Sequence, residues 1–153
     1  MSETSPVTLD RARELFRANG WKFQESDSPH TFYTGFYGVT LEVHYAAPNV
    51  NMVTTVAVDV IGVDRFPDVL SWAEGFNASH TFPSVFALKD PARDKAALGV
   101  SYALPGYWEY SDKQFADHVS TGIQGIITAV TEFLAEFAPA VLQQLDLPGG
   151  AGD

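Results

Sequence analysis

The sequence predicts an α+β fold, an antiparallel sheet packed by helices in the order α-β-β-β-(β)-α-β-β-α. Apolar residues recur at steps of three and four near the start, in the middle and over a long stretch near the end, which is the helical period. Between these stretches lie two blocks of β-branched and aromatic residues with strand-like alternation. The turns inside each block are too short for crossover helices, so neighbouring strands are expected to be antiparallel.

Thr8 is placed to cap a first helix whose Leu9, Ala12 and Phe16 share one face, and Asn19-Gly20 supplies a left-handed stop. Strand-like runs follow over residues 21–25, 30–36, 39–45 and 52–61. In the third, Leu41, Val43 and Tyr45 alternate with Thr40, Glu42 and His44, one face buried and one wet. In the fourth, Val56, Val58 and Val60 share a face. Gly35 and Gly38 mark one bend and Pro48-Asn49-Val50-Asn51 the next.

The helical period returns over residues 64–77, with Phe66, Val69, Leu70 and Ala73 on one side and Pro67 in the first turn, where its missing N–H does no harm. This helix is expected to end near Ser79. Residues 84–88 and 96–104 then form a hairpin across Asp90-Pro91-Ala92-Arg93-Asp94, closed by Pro105-Gly106. Ser111-Asp112-Lys113-Gln114 is a capping box, and it opens the longest helix. Phe115, Val119, Ile123, Ile126, Ile127, Val130, Phe133, Leu134 and Phe137 trace its apolar stripe until Pro139 stops it, and a short amphipathic piece through Leu142 and Leu145 follows.

No repeat or low-complexity linker interrupts this pattern, so one domain is expected over residues 8–147, with disordered ends at 1–7 and 148–153. The chain contains no cysteine, which excludes disulfides, thiolate zinc sites, iron–sulfur clusters and cysteine nucleophiles. Without a basic-then-apolar leader or a run of about eighteen apolar residues, the expectation is a soluble cytoplasmic protein with no membrane partner. Nineteen acidic residues against nine basic give a net charge of −10, which opposes nucleic acid binding through repulsion from phosphates. Arg11, Arg13, Arg17 and Lys22 cluster near the start, interleaved with Asp10 and Glu14, and read as a solvated helix face.

Catalytic signatures are missing from the pattern. His30, His44, His80 and His118 fall on separate elements, with no second ligand at i+4 or tight-loop spacing. Glu42 and His44 share the wet face of their strand and read as a solvated pair. Asp59, between Val58 and Val60, reads as the outward face of a strand. Gly35-Phe36-Tyr37-Gly38 has neither the spacing nor the following helix of a dinucleotide fingerprint, and no nucleophile elbow or phosphate loop occurs. No catalytic residue, cofactor or metal is therefore expected.

Binding leaves fainter marks. Gly122, Gly125 and Ala129 lie beside the apolar stripe of the long helix, and two helical glycines cost about 2 kcal/mol relative to alanine. Their small size lets a neighbouring backbone approach, either the domain's own sheet or another subunit. Trp72 and the cluster Tyr107, Trp108 and Tyr110 are of the types enriched as interface anchors, and equally serve as ordinary packing residues.

Phe76-Asn77, then Phe82-Pro83-Ser84-Val85-Phe86, then Ser120-Thr121-Gly122-Ile123 and Glu132-Phe133 resemble the motifs of the YbjN-like family. These are bacterial proteins described as candidate sensory transduction regulators, with a fold like that of type III secretion chaperones. The resemblance runs from about Leu9 to Phe137. Two departures stand out: Phe76 takes the place of a common tryptophan, and the loop Asp90 to Asp94 is longer and carries a proline. The resemblance implies an effector-binding or chaperone-like module, often dimeric. With the acidic, enzyme-poor composition and several strands that offer an edge for strand addition, the expectation is a non-enzymatic homodimer that binds a polypeptide segment on its sheet or in an aromatic-lined groove. The alternative is a small-molecule sensor with an apolar ligand between the sheet and the last helix.

Overall fold

In the computed structural model, which describes residues 3–145, the Thr8 hydroxyl accepts the Arg11 N–H at 3.1 Å and starts α1 (Leu9–Ala18), and Gly20 at φ +70° ends it. The remaining elements are β1 (Phe23–Glu25), β2 (Thr31–Phe36), β3 (Val39–Ala46), β4 (Asn49–Val56), a 3-10 turn (Val63–Arg65), α2 (Phe66–Ser79), β5 (Ser84–Asp90), β6 (Lys95–Leu104), α3 (Asp112–Phe137) and α4 (Pro139–Gln144). The fold is the predicted α+β type. Its strands form one antiparallel sheet in the order β1-β2-β3-β4-β6-β5.

One face of the sheet carries Phe32, Leu41, Val43, Val50, Met52, Leu98, Val100 and Leu104, all buried. α1 covers one half of this face through Phe16, whose ring meets Phe32 edge-on at 5.2 Å. α3 covers the other half, and the expected capping box is present, with Ser111 and Gln114 satisfying each other's backbone N–H groups. α2 lies beside α3 and over β5, joined to α3 where Trp72 meets Phe133 at 5.3 Å. The opposite face carries Tyr33, Glu42, His44, Asn51 and Phe86, with Phe86 laid over Gly99.

Several sequence expectations need correction. The ordered body begins before Thr8: Ser5 exchanges two backbone hydrogen bonds with Tyr110, and Val7 is buried. Residues 148–153, expected to be disordered, lie outside the described residues.

β4 starts at Asn49, because Ala47-Pro48 forms a two-residue turn and Ala46 pairs with Asn49. It also stops at Val56. Ile61 turns inward by bonding Val58, which leaves Val60 66% exposed and places Asp59 on an exposed turn rather than between two strand valines. The hairpin of β5 and β6 runs to Asp90↔Lys95, so the turn residues are Pro91 to Asp94. Leu70 is exposed, because α2 turns Val69, Ala73 and Phe76 inward instead. Finally, Arg11, Arg13 and Arg17 are not simply solvated: their guanidinium groups lie over Phe115, Phe32 and Phe23, and Arg13 binds both Glu25 carboxylate oxygens.

Candidate functional site

Between Phe36 and Val39 the chain turns in two residues, Tyr37 at φ +56° and Gly38 at φ +85°. Such a turn matches the twist of a hairpin but requires positive φ at both positions. Glycine adopts that conformation freely, whereas tyrosine is strained in it. Tyr37 lines one hollow together with Phe36 and Trp21, whose rings meet edge-to-face at 5.3 Å. Together the three rings make a wall.

Facing this wall is α3, with Ser120, Ile123, Gln124, Ile127, Thr128, Thr131 and Glu132. These residues recur at helical steps over twelve positions, or about 18 Å of helix. Wall and helix enclose a groove of about 720 Å3. Ile123 and Ile127 form a largely buried floor, while Gln124, Thr128 and Glu132 stand on the rim. The rim gives hydrogen-bonding groups and one negative charge, and the floor and wall give apolar and aromatic contact.

A second hollow, of about 410 Å3, lies where β3 and β4 separate. Their ladder ends at Glu42↔Val53, and beyond it the Thr54 hydroxyl bridges the gap by donating to the Thr40 carbonyl at 2.7 Å. Tyr33 and Glu42 stand at this hollow together with Val130, Leu134, Val141 and Leu145 from the helices.

The predicted interface residues separate into two sets. Ala129 is buried, and Gly122 is buried against the domain's own sheet, where a Cβ would run into Tyr102 and Met52. At Gly125 the neighbours are Phe82 and Pro83. The two glycines thus serve an intramolecular approach. Tyr110 is also internal, 8% exposed, with its hydroxyl donating to the Pro105 carbonyl at 2.8 Å. Trp72 is half-buried and stacks on Phe76. Only Tyr107 and Trp108 stand free, at 77% and 65% exposed.

Sequence reasoning expected an aromatic-lined groove or a site between the sheet and the last helix, but did not find the residues that line it. Trp21 is fifteen residues from the adjacent pair Phe36-Tyr37, and the Tyr-Gly turn is the one local signal that points to them.

The four histidines stay apart. His44 Nδ1 is 3.9 Å from Glu42 Oε2, while Asn51 Nδ2 is 3.4 Å from the other ring nitrogen. His80 stacks on Phe76 and lies 3.7 Å from Glu132. Among the described residues no three of His, Asp and Glu converge as a metal set, and no helix is long and apolar enough to cross a membrane.

Among the described residues, a six-stranded antiparallel sheet with α1, α2 and α3 packed on one face, and a groove beside the longest helix, forms a helix-backed α+β scaffold. The fold is that of YbjN, a candidate transcription regulator from E. coli, whose crystal structure aligns over 94% of this chain and 100% of its own with a TM-score of 0.65 and 18% sequence identity. No family model and no curated protein matches the sequence.

The residues that carry the resemblance have structural work here. The Asn77 amide binds the backbone of Val85, Gly122 admits Tyr102, and Phe133 joins α2 to α3.

Proposed function

We propose that this protein is a non-enzymatic, regulator-type binding module that receives a segment of a polypeptide partner in the groove between α3 and the Trp21–Phe36–Tyr37 wall. The observation that carries this is the form of the groove. It follows three turns of helix and has an aromatic wall and an apolar floor, which suits a chain segment with apolar residues on one side. The strained turn at Tyr37 supports a binding role as well, since strain of this kind persists where function requires it. The rim contributes Glu132 within a chain of net charge −10, so the segment is expected to be basic or neutral on its outer side.

The same proposal includes a homodimer working in the cytoplasm, without cofactor or nucleic acid. Its support is the YbjN-type fold, the acidic composition and the cysteine-free sequence. A second reading is favoured by the groove's volume, which exceeds the roughly 300 Å3 that a small ligand requires, so the groove could equally hold an apolar small molecule. Native mass spectrometry of gently purified protein separates the two. A retained polypeptide lost in Thr128→Arg supports the first, and a retained small adduct lost in the same variant supports the second.

A further inference from the structure

Pro105 and Gly106 turn the chain out of β6, and the next residues bring Trp108, Glu109 and Tyr110 over the end of that strand. There they meet Tyr102 from β6 and Gln114 and His118 from α3, around a hollow of about 520 Å3. It is separate from the groove of the proposed function and shares no residue with it. Three aromatic residues line it: Trp108, which is exposed, Tyr102, whose ring also meets Phe82 at 5.6 Å, and Tyr110, which is 8% exposed. A fourth is the imidazole of His118, edge-on to Tyr110 at 5.2 Å. One carboxylate, that of Glu109, stands among them.

Five phenylalanine rings elsewhere in the described residues carry one of the chain's own cations. Arg11, Arg13, Arg17 and Arg65 lie over Phe115, Phe32, Phe23 and Phe137, and Lys89 lies over Phe66. Among the described residues no lysine or arginine lies over Tyr102, Trp108 or Tyr110. Indole is the strongest of the cation-binding rings, yet it is here the one held largely in solvent, at 65% exposed. A large exposed aromatic beside an acidic group in a hollow is a feature that marks binding surfaces.

We infer that the hollow of Tyr102, Trp108, Glu109 and Tyr110 binds an organic cation of the methylated ammonium class. The choice among cations follows from the acceptors present. A bare ammonium carries three donors and a tight hydration shell, so it needs several acceptors to replace water. The hollow has few to give. Glu109 already accepts from the Thr4 hydroxyl at 3.1 Å, Gln114 Oε1 accepts from the Ser111 N–H at 2.9 Å, and the Tyr110 hydroxyl is donated to Pro105. A quaternary ammonium needs no acceptor. It is weakly hydrated, it takes its stabilisation from aromatic faces, and the Glu109 charge balances its own.

The test is calorimetric titration of the full chain with three probes: tetramethylammonium, a tripeptide containing trimethyllysine, and the same tripeptide with a neutral tert-butyl isostere. Binding of both cations, with the isostere at least tenfold weaker, supports the inference. A tripeptide much tighter than tetramethylammonium assigns the cation to a polypeptide, and comparable affinities assign it to a free small molecule. Trp108→Ala and Glu109→Gln are each expected to weaken binding at least tenfold, while Trp108→Phe retains part of it. Both positions are exposed, so the variants keep the fold. Binding of neither cation, equal binding of the isostere, or unchanged affinity in Trp108→Ala overturns the inference.

Discussion

The side-chain amide of Asn77 brackets Val85, donating to its carbonyl at 2.7 Å and accepting from its N–H at 3.0 Å. β5 is an edge strand, so these backbone groups have no partner strand on that side. The end of α2 therefore serves as a substitute strand for one residue, fixing the helix to the sheet. Asn77→Ala leaves both groups unpaired and is expected to destabilise the protein by about 1–2 kcal/mol. Urea denaturation with a lowered midpoint and an unchanged slope checks it.

Two helical glycines should respond oppositely to the same substitution. Gly75, on the outer side of α2, has nothing within 4 Å of the place an added methyl would occupy, so Gly75→Ala is expected to stabilise by about 0.8–1 kcal/mol through helix propensity. At Gly122 the added methyl meets Tyr102 and Met52, and overpacking of about 1–3 kcal/mol outweighs that gain. Thermal denaturation of the two variants beside the wild type reads both signs.

Alkaline pH should weaken the fold through two phenols. Burial raises the Tyr102 pKa above the ordinary value of 10.0, with a smaller contribution from Tyr110, and burial raises that of Tyr110. In the unfolded chain both ionise at the ordinary value, so above it the unfolded state holds fewer protons and stability falls as pH rises; below it, neither phenol is charged in either state and their contribution is complete. Urea midpoints are expected to decline above about pH 10. The decline should be smaller in Tyr102→Phe, and an identical pH profile in that variant would contradict the assignment.

Most of the scaffold was legible in the sequence, because it rests on local signals. The Thr8 cap, the Ser111 capping box, the stripe from Phe115 to Phe137 and the alternation through Leu41 and Val43 each specify an element without reference to the rest of the chain. The misreadings came where a tertiary contact decided. Val58 and Val60 have strand propensity, but Ile61 turns into the core and Gly62 pairs with Lys95, which ends β4 early. Ser5 and Val7 look like a frayed end until Tyr110, more than a hundred residues away, pairs with Ser5. The lining of the groove was illegible for the same reason: its aromatic wall comes from the start of the sheet and its floor from α3, and no spacing within either segment encodes their meeting.

The turn at Tyr37 links stability to binding. Replacing tyrosine at φ +56° by asparagine, which tolerates the left-handed region, should relieve about 1 kcal/mol of backbone strain while removing one ring from the groove wall. Tyr37→Asn is thus expected to melt higher than the wild type and to bind its partner more weakly. A variant that melts higher and binds equally well would separate the strained turn from function.

The most direct measurement is site-specific photo-crosslinking in the native host, with the photoreactive residue placed at Gln124 on the groove rim and, as a control, at Ser71 on the outer side of α2. The account predicts a discrete polypeptide adduct from position 124 that is absent from position 71 and disappears when Thr128→Arg is added. Adducts of equal yield from both positions, or an adduct at 124 indifferent to Thr128→Arg, would contradict it.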